Sequence, residues 1–438
     1  MQNSNFSICD NIGTSADGHL TFAGQDTVSL ANKYGTPLYL MDEERIRYNC
    51  RAYKNAVLSA FGENGKIMYA SKAASFKRIY EIMRDENMHI DVVSCGEIYS
   101  AIKADFPLQK AYFHSNNKTD EDIAFAIEND IGYFVVDNAE ELYAIDKEAA
   151  KRKIKQPILL RITPGIDPHT FKAVATGKVD SKFGSAIETG QADDMVKLAL
   201  SFENIELAGL HCHVGSQVFD ADVFLRSADV MLDFIFEIKQ KYGFVTKQLD
   251  LGGGFGVRYL NSDPFLDINS VISEIGNFVT EKVEKLGIHM PIIGFEPGRS
   301  IVADAGMTLY TVGTVKKIPE FINYVSVDGG MGDNIRYALY NAPYTLALAN
   351  KVNEPYDMQC TVVGRFCESG DMIQENVSLP ASTERGDILA TFTTGAYNYS
   401  MASNYNRVAR PPIVMLNDGT SYLAVRRETL DDLVSLDV

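Results

Sequence analysis

The sequence offers no disulfide framework. Its six cysteines, Cys9, Cys50, Cys95, Cys212, Cys360 and Cys367, are scattered without a CxxC pair, which in a chain of 438 residues points to reduced thiols in a cytosol. Long apolar runs are also missing: none approaches the roughly 18 residues of a membrane span, and the opening MQNSNFSICDN lacks a basic-then-apolar signal. A cytoplasmic protein with no membrane partner is expected. Positive charge is scarce. With Lys+Arg 41 against Asp+Glu 58, a net charge of -17 and a pI near 4.9, the chain is a poor partner for a nucleic-acid backbone or an anionic membrane. Local arginines can still hold a small anion. Internal repeats and low-complexity linkers are absent, and no glycine cluster follows the first apolar run, where a dinucleotide-binding fold carries it.

What the chain does have is a rhythm. An apolar strand, TPLYLMD at 36–42, and a charged helix from Glu43 to about Leu58 come first. Apolar runs then open near 66, 89, 111, 132, 157, 206, 247 and 290. Segments of helical character separate them, such as DEDIAFAIEND, AEELYAIDKEA, DDMVKLALSF and INSVISEIGNFVTEKVEKL. Eight buried strands alternating with helices predict an α/β protein built on a (β/α)8 TIM-type barrel, with a doubly wound open sheet as the alternative. After about 300 the helix rhythm is lost and short β-rich runs appear, among them MTLYTVGTVKKI, YVSVDGG and PIVMLNDGTSYLAVRRE. These predict a C-terminal mostly-β domain that also takes in the N-terminal segment. The expected domains are therefore 43–297 for the barrel, and 1–42 with 298–438 for the β domain.

The first barrel strand, in KIMYASKAA, stops at Lys72. A lysine at the carboxyl end of a barrel strand lies on the face where such folds do chemistry, and a desolvated amine attacks carbonyls. A strand-end lysine that merely reaches solvent is the plain alternative. Strand seven runs into Gly252-Gly253-Gly254-Phe255-Gly256, and strand eight into Glu296-Pro297-Gly298-Arg299. Barrel phosphate sites are often built from these two loops, where bare backbone N–H groups approach the anion. A Schiff-base lysine and a phosphate cradle on one face suit pyridoxal 5'-phosphate. Glu296 could keep its pyridine nitrogen protonated, or be an ion pair with a local arginine; His213, in HCHVGSQ, could stack on its ring, or be structural.

The chain resembles the alanine-racemase-type-barrel pyridoxal-phosphate decarboxylases, and within them the branch that acts on diaminopimelate. The matching stretches are YASKA, DVVSCGE, HSNNK, RITPG, SKFG, HCHVGSQ, LDLGGGFG, EPGRSIVADAG, DGGMGDNIRYALY, CESGD and GAYNYSMASNYN, in family order over nearly the whole chain. YASKA departs from the usual residues before the lysine, and RYALY has tyrosine where proline is common. The resemblance implies decarboxylation of meso-2,6-diaminopimelate to L-lysine and carbon dioxide, the last step of lysine biosynthesis. It implies that Lys72 forms the Schiff base, His213 stacks on the ring, and Glu296 meets the pyridine nitrogen. Ser216, Gly253, Gly254, Gly256, Pro297, Gly298 and Arg299 are implied around the phosphate, with Tyr397 touching cofactor and substrate. Arg299, Arg336, Tyr340 and Glu368 are implied as substrate contacts, and Cys367 as the proton donor, reaching the other subunit's site in a homodimer with shared active sites. No metal is expected. Two arginines suit the distal carboxylate of diaminopimelate, and Glu368 its ammonium. Decarboxylases of ornithine, lysine, arginine or carboxynorspermidine, and an inactive regulatory homologue, are the alternatives.

Overall fold

The computed structural model of the chain describes residues 8–166 and 181–438, so the first seven residues of the polar N-terminal segment lie outside it. The chain divides into two compact units.

One unit, residues 49–256 and 265–298, is a closed parallel barrel. Its strands are Gly65–Ala70, His89–Val92, Ala111–Phe113, Tyr133–Val136, Gln156–Thr163, Ile205–His211, Gln248–Asp250 and Ile292–Phe295. Each pairs in parallel with the next, and the eighth returns to the first with Ile293 opposite Gly65 and Phe295 opposite Ile67. Closure excludes the open doubly wound sheet. Met68, Tyr112, Val135 and Leu159, from strands one, three, four and five, form one buried cluster, so side chains fill the barrel interior. After strands two, three and four the helices begin shortly after the strand ends, with a capping residue in each connection. Ser94, Thr119 and Asn138 each accept a first-turn N–H at the start of the helices Cys95–Lys103, Asp120–Glu128 and Ala139–Arg152. Because all eight strands run parallel around the barrel, their carboxyl-end side chains gather around one mouth. Among the described residues no helix is long and apolar enough to cross a membrane.

The other unit takes residues up to Tyr48, Val257–Pro264 and Arg299–Val438. It is built on the long strand Gly306–Lys316, which pairs antiparallel with Leu38–Asp42, Asn323–Val327 and Ile388–Phe392. Leu38–Asp42, from the N-terminal TPLYLMD, lies between that strand and Ile413–Asn417. Period-two alternation divides the long strand between two cores. Met307 and Leu309 join Leu38, Leu40 and Phe392, while Tyr310 and Val312 join Val325, Tyr344 and Ile373.

These units differ in three places from boundaries drawn at 42/43 and 297/298, the smallest being that Gly298 stays with the barrel. The helix Glu43–Phe61 begins in the β unit, where Tyr422 donates to Glu43 (2.6 Å) and Arg45 pairs with Asp304 (2.6 Å). Val257–Pro264 also belongs there, because Tyr259 packs edge-on against Tyr344 at 5.6 Å.

Strands six and seven approach so closely at Gly209 that an added Cβ would lie 1.9 Å from the Gln248 carbonyl oxygen. Gly209→Ala is expected to destabilise the barrel by about 2 kcal/mol, read as a fall of roughly 4–8 °C in thermal midpoint. An unchanged midpoint would show that the strands can spread there.

Candidate active site

Every barrel strand brings a titratable side chain to its carboxyl end. In order these are Lys72, Asp91, His114, Asp137, Arg161, His211, Asp250 and Glu296. Lys72 sits in the short turn Ser71–Ala73, with its side chain exposed while Ser71 and Ala73 are buried. The loop after strand eight presses against this turn: Ala70 donates its N–H to Pro297 O (3.2 Å), and a Cβ on Gly298 would meet Ala70 Cβ at 2.9 Å and Ala73 Cβ at 3.1 Å. Only glycine lets that loop lie beside the lysine.

The glycine loop after strand seven is packed as closely. A Cβ on Gly253 would fall 2.0 Å from Glu296 O, and one on Gly254, whose φ is +108°, 2.1 Å from Gly215 O. Their amides are not equivalent. Gly252 N–H donates to Asp250 (2.9 Å), Gly253 N–H to His213 Nδ1 (3.2 Å) and Gly256 N–H to Val218 O (2.9 Å). Among the described residues no acceptor in the chain takes the Gly254 N–H. The Gly253 bond makes His213 Nδ1 an acceptor, and burial, with Lys72 and Arg161 adding to it, holds this imidazole's pKa well below the usual value.

Glu296 is 5% exposed and has histidines rather than an arginine at hydrogen-bonding distance: His114 Nε2 lies 2.7 Å from one oxygen and His211 Nε2 3.1 Å from the other. Burial opposes its charge, but the two histidines outweigh it and hold the carboxyl well below the usual range. Asp250 goes the other way, pushed well up by burial and by the Glu296 charge. Burial lowers His211 to about 4. The third-strand loop carrying His114 is tied down by buried Lys118, which donates to Ser115 O (3.1 Å), Val135 O (2.9 Å) and Glu141 (2.7 Å).

In the β unit the remaining expected residues form two groups. Arg336 opens the short helix Arg336–Tyr340 and is 4% exposed; its guanidinium lies over Tyr259 (4.3 Å) and Tyr344 (5.1 Å), and Nη1 has no hydrogen-bond partner among the described residues. Arg299 donates to Tyr259 Oη (2.8 Å) and lies 4.6 Å over the ring of Tyr397. Tyr397 has a φ of +61°, a strained state for a tyrosine that its surroundings must enforce. Tyr340 ends the Arg336 helix, half-buried. Cys367 and Glu368 form the other group, on an exposed turn whose frame is Asp371. That buried carboxylate accepts from Met331 N (2.6 Å) and Phe366 N (2.7 Å), and Cys367 N–H donates to Asn406 (2.9 Å). Cys367 is the one exposed cysteine of the six.

Residues 43–303 match the family described as pyridoxal-dependent decarboxylase, pyridoxal binding domain. The chain belongs to this family: it is a carboxy-lyase whose cofactor is pyridoxal phosphate. More particularly, it is similar to diaminopimelate decarboxylase of Bacillus subtilis (strain 168), 45% identical over 96% of this chain and 95% of that one. A crystal structure of diaminopimelate decarboxylase from M. jannaschii superposes with a TM-score of 0.90 at 33% identity, covering 99% of each chain. A second, in complex with L-lysine, gives 0.88 at 34% identity over 98% of each. The barrel mouth fits the cofactor chemically, with an exposed amine, an uncommitted amide between close-packed glycines and an ionised carboxylate.

Sequence reasoning did not assign His114, Asp250 or Tyr259. The first two each stand at a strand end in a motif already noted, HSNNK and LDLGGGFG, so the rule that singled out Lys72 could have found them. Tyr259 carried no such signal.

Two outcomes follow. Lys118→Met strands the buried Glu141 carboxylate, and is expected to destabilise by about 3–5 kcal/mol in urea unfolding. His211 titrates near 6.5 when unfolded and near 4 when folded, and His89 likewise. Between these values the unfolded chain binds more protons, so stability rises with pH through the window and is lost as pH falls from about 6.5 to about 4. His211→Asn should reduce the loss by on the order of 3 kcal/mol, seen by comparing urea midpoints at several pH values across that window.

Proposed function

We propose that this carboxy-lyase decarboxylates meso-2,6-diaminopimelate to L-lysine, as a cytoplasmic homodimer. The single observation that carries the substrate is Arg336, a buried guanidinium with an unmatched nitrogen and aromatic rings in place of a carboxylate partner. A substrate with a distal carboxylate answers that charge, whereas ornithine, lysine and arginine bring none beyond the one they lose. The names of the full-length relatives agree.

In this reading pyridoxal phosphate, when bound, supplies an electron sink for the pair released as the carboxyl group departs. Lys72 anchors the cofactor covalently. Glu296, ionised and oriented by His114 and His211, holds a proton at the pyridine nitrogen, and His213 covers one ring face. Gly254, with Gly253, Gly256, Ser216, Pro297, Gly298 and the Arg299 backbone, surrounds the phosphate. Arg299 and Arg336 bind the distal carboxylate, with Tyr340 and Tyr397 beside the substrate, and Glu368 takes the distal ammonium. Cys367 of the partner subunit delivers the proton to the carbon that lost its carboxyl group.

Carbon dioxide and L-lysine should appear from meso-diaminopimelate and not from ornithine, arginine or carboxynorspermidine. Turnover of one of those instead would sink the substrate assignment. Lys72→Ala should abolish both turnover and the visible absorbance of bound cofactor, while Cys367→Ala should keep the absorbance and lose most turnover. Refolding the two variants together should restore about a quarter of wild-type activity if sites are shared across a two-fold dimer, and none if each subunit is self-sufficient.

A further inference from the structure

Tyr259 stands just beyond the glycine loop, yet it belongs to the β unit. It is 4% exposed and unusually well held. Asp263 accepts the N–H groups of Tyr259 (2.8 Å) and Leu260 (2.9 Å), and Thr345 donates to the Tyr259 carbonyl (3.0 Å). Its phenol meets both arginines of the proposed substrate group. Arg299 Nη1 donates to its oxygen at 2.8 Å, and the Arg336 guanidinium lies 4.3 Å from its ring centroid. Two guanidiniums in one buried cluster repel each other and lose hydration; an aromatic face and a hydroxyl oxygen offset both effects without supplying the full negative charge that would occupy the site. Burial pushes the phenol's pKa up, and the charges of Arg299 and Arg336 outweigh it and bring it below the usual value. A glutamate there would neutralise the arginines; a phenol orients them without adding a carboxylate charge of its own.

We propose that Tyr259 is the positioning residue of the carboxylate site: it holds Arg299 by its hydroxyl and Arg336 by its ring, so that both face one carboxylate of the ligand. The inference rests on the reading of those arginines given above. It makes Tyr259 a determinant of specificity for ligands that keep a carboxylate after decarboxylation, acting through the arginines rather than on the reacting atoms.

L-lysine and cadaverine differ by one carboxylate and separate this role from a merely structural one. Binding of each to the cofactor-loaded enzyme is measured by calorimetry, with cofactor absorbance and thermal midpoint confirming the fold. Wild type should prefer L-lysine. Tyr259→Phe, which keeps the ring, should weaken L-lysine about tenfold, the size of one charge-assisted hydrogen bond, and leave cadaverine within about twofold. Tyr259→Leu, which also removes the ring under Arg336, should weaken L-lysine further. With meso-diaminopimelate the phenylalanine variant should raise KM and leave kcat nearly unchanged. The proposal is overturned if either folded variant keeps the wild-type preference, or if both ligands weaken equally. A wild type with no preference would instead overturn the arginine reading itself, and this proposal with it.

Discussion

Closure of the barrel is the constraint on which the rest depends. Strand eight returns to strand one with Ile293 opposite Gly65, and the pairing continues past the strands, where Ala70 donates to Pro297 and Gly298 packs on Ala70 and Ala73. That seam lays the Lys72 turn against the loop after strand eight. Gly253 then brings the strand-seven loop onto the Glu296 carbonyl, so loops remote in sequence share one mouth. The glycines therefore serve packing first. Each permits backbone to touch backbone, and an uncommitted amide such as that of Gly254 is a consequence of this close approach. Any larger residue would separate the loops before it blocked a ligand.

Within the barrel mouth the ionisation states are set by contrast between neighbours. Asp250 and Glu296 are both buried carboxyls, and two adjacent negative charges in that environment would repel strongly. The histidines favour the charge on Glu296, and that charge, with burial, pushes the Asp250 carboxyl well up. His211 achieves this as a neutral donor, since burial has lowered it to about 4. The result is a carboxylate held ionised on the last strand and an exposed lysine on the first. The β unit shows the opposite polarity. Arg336 is buried among tyrosines, held by ring faces in place of carboxylates, so its charge has no carboxylate partner among the described residues. Buried charge without a counter-ion is costly for stability and is retained where a ligand supplies the other half.

Much of this was legible in the linear chain. Strand-length apolar runs separated by amphipathic helices specify a barrel because period and length are local properties, and all eight runs became strands near their expected positions. The polar character of CESGD marked Cys367 as different from the other cysteines, and it is the exposed one. Strand-end position made Lys72 and Glu296 candidates before any contact was known. Even the membership of TPLYLMD in the β sheet followed from its place before the barrel repeat, and it pairs there with Gly306–Lys316.

Other features waited for three dimensions. His114 and Asp250 matter through what they touch, and no periodicity reports that a third-strand histidine will reach a carboxylate on strand eight. The division of labour among the glycines depends on which amides find acceptors, a matter of loop conformation that composition leaves open. Tyr259 reads as an unremarkable residue in VRYLNSD until the fold sets it between two arginines. The sequence by itself determined the elements, their order and the chemistry available at strand ends, because those follow from local pattern. Tertiary structure decided which of these groups meet and which carry charge, because both depend on closure and burial, and both are set by residues far apart along the chain.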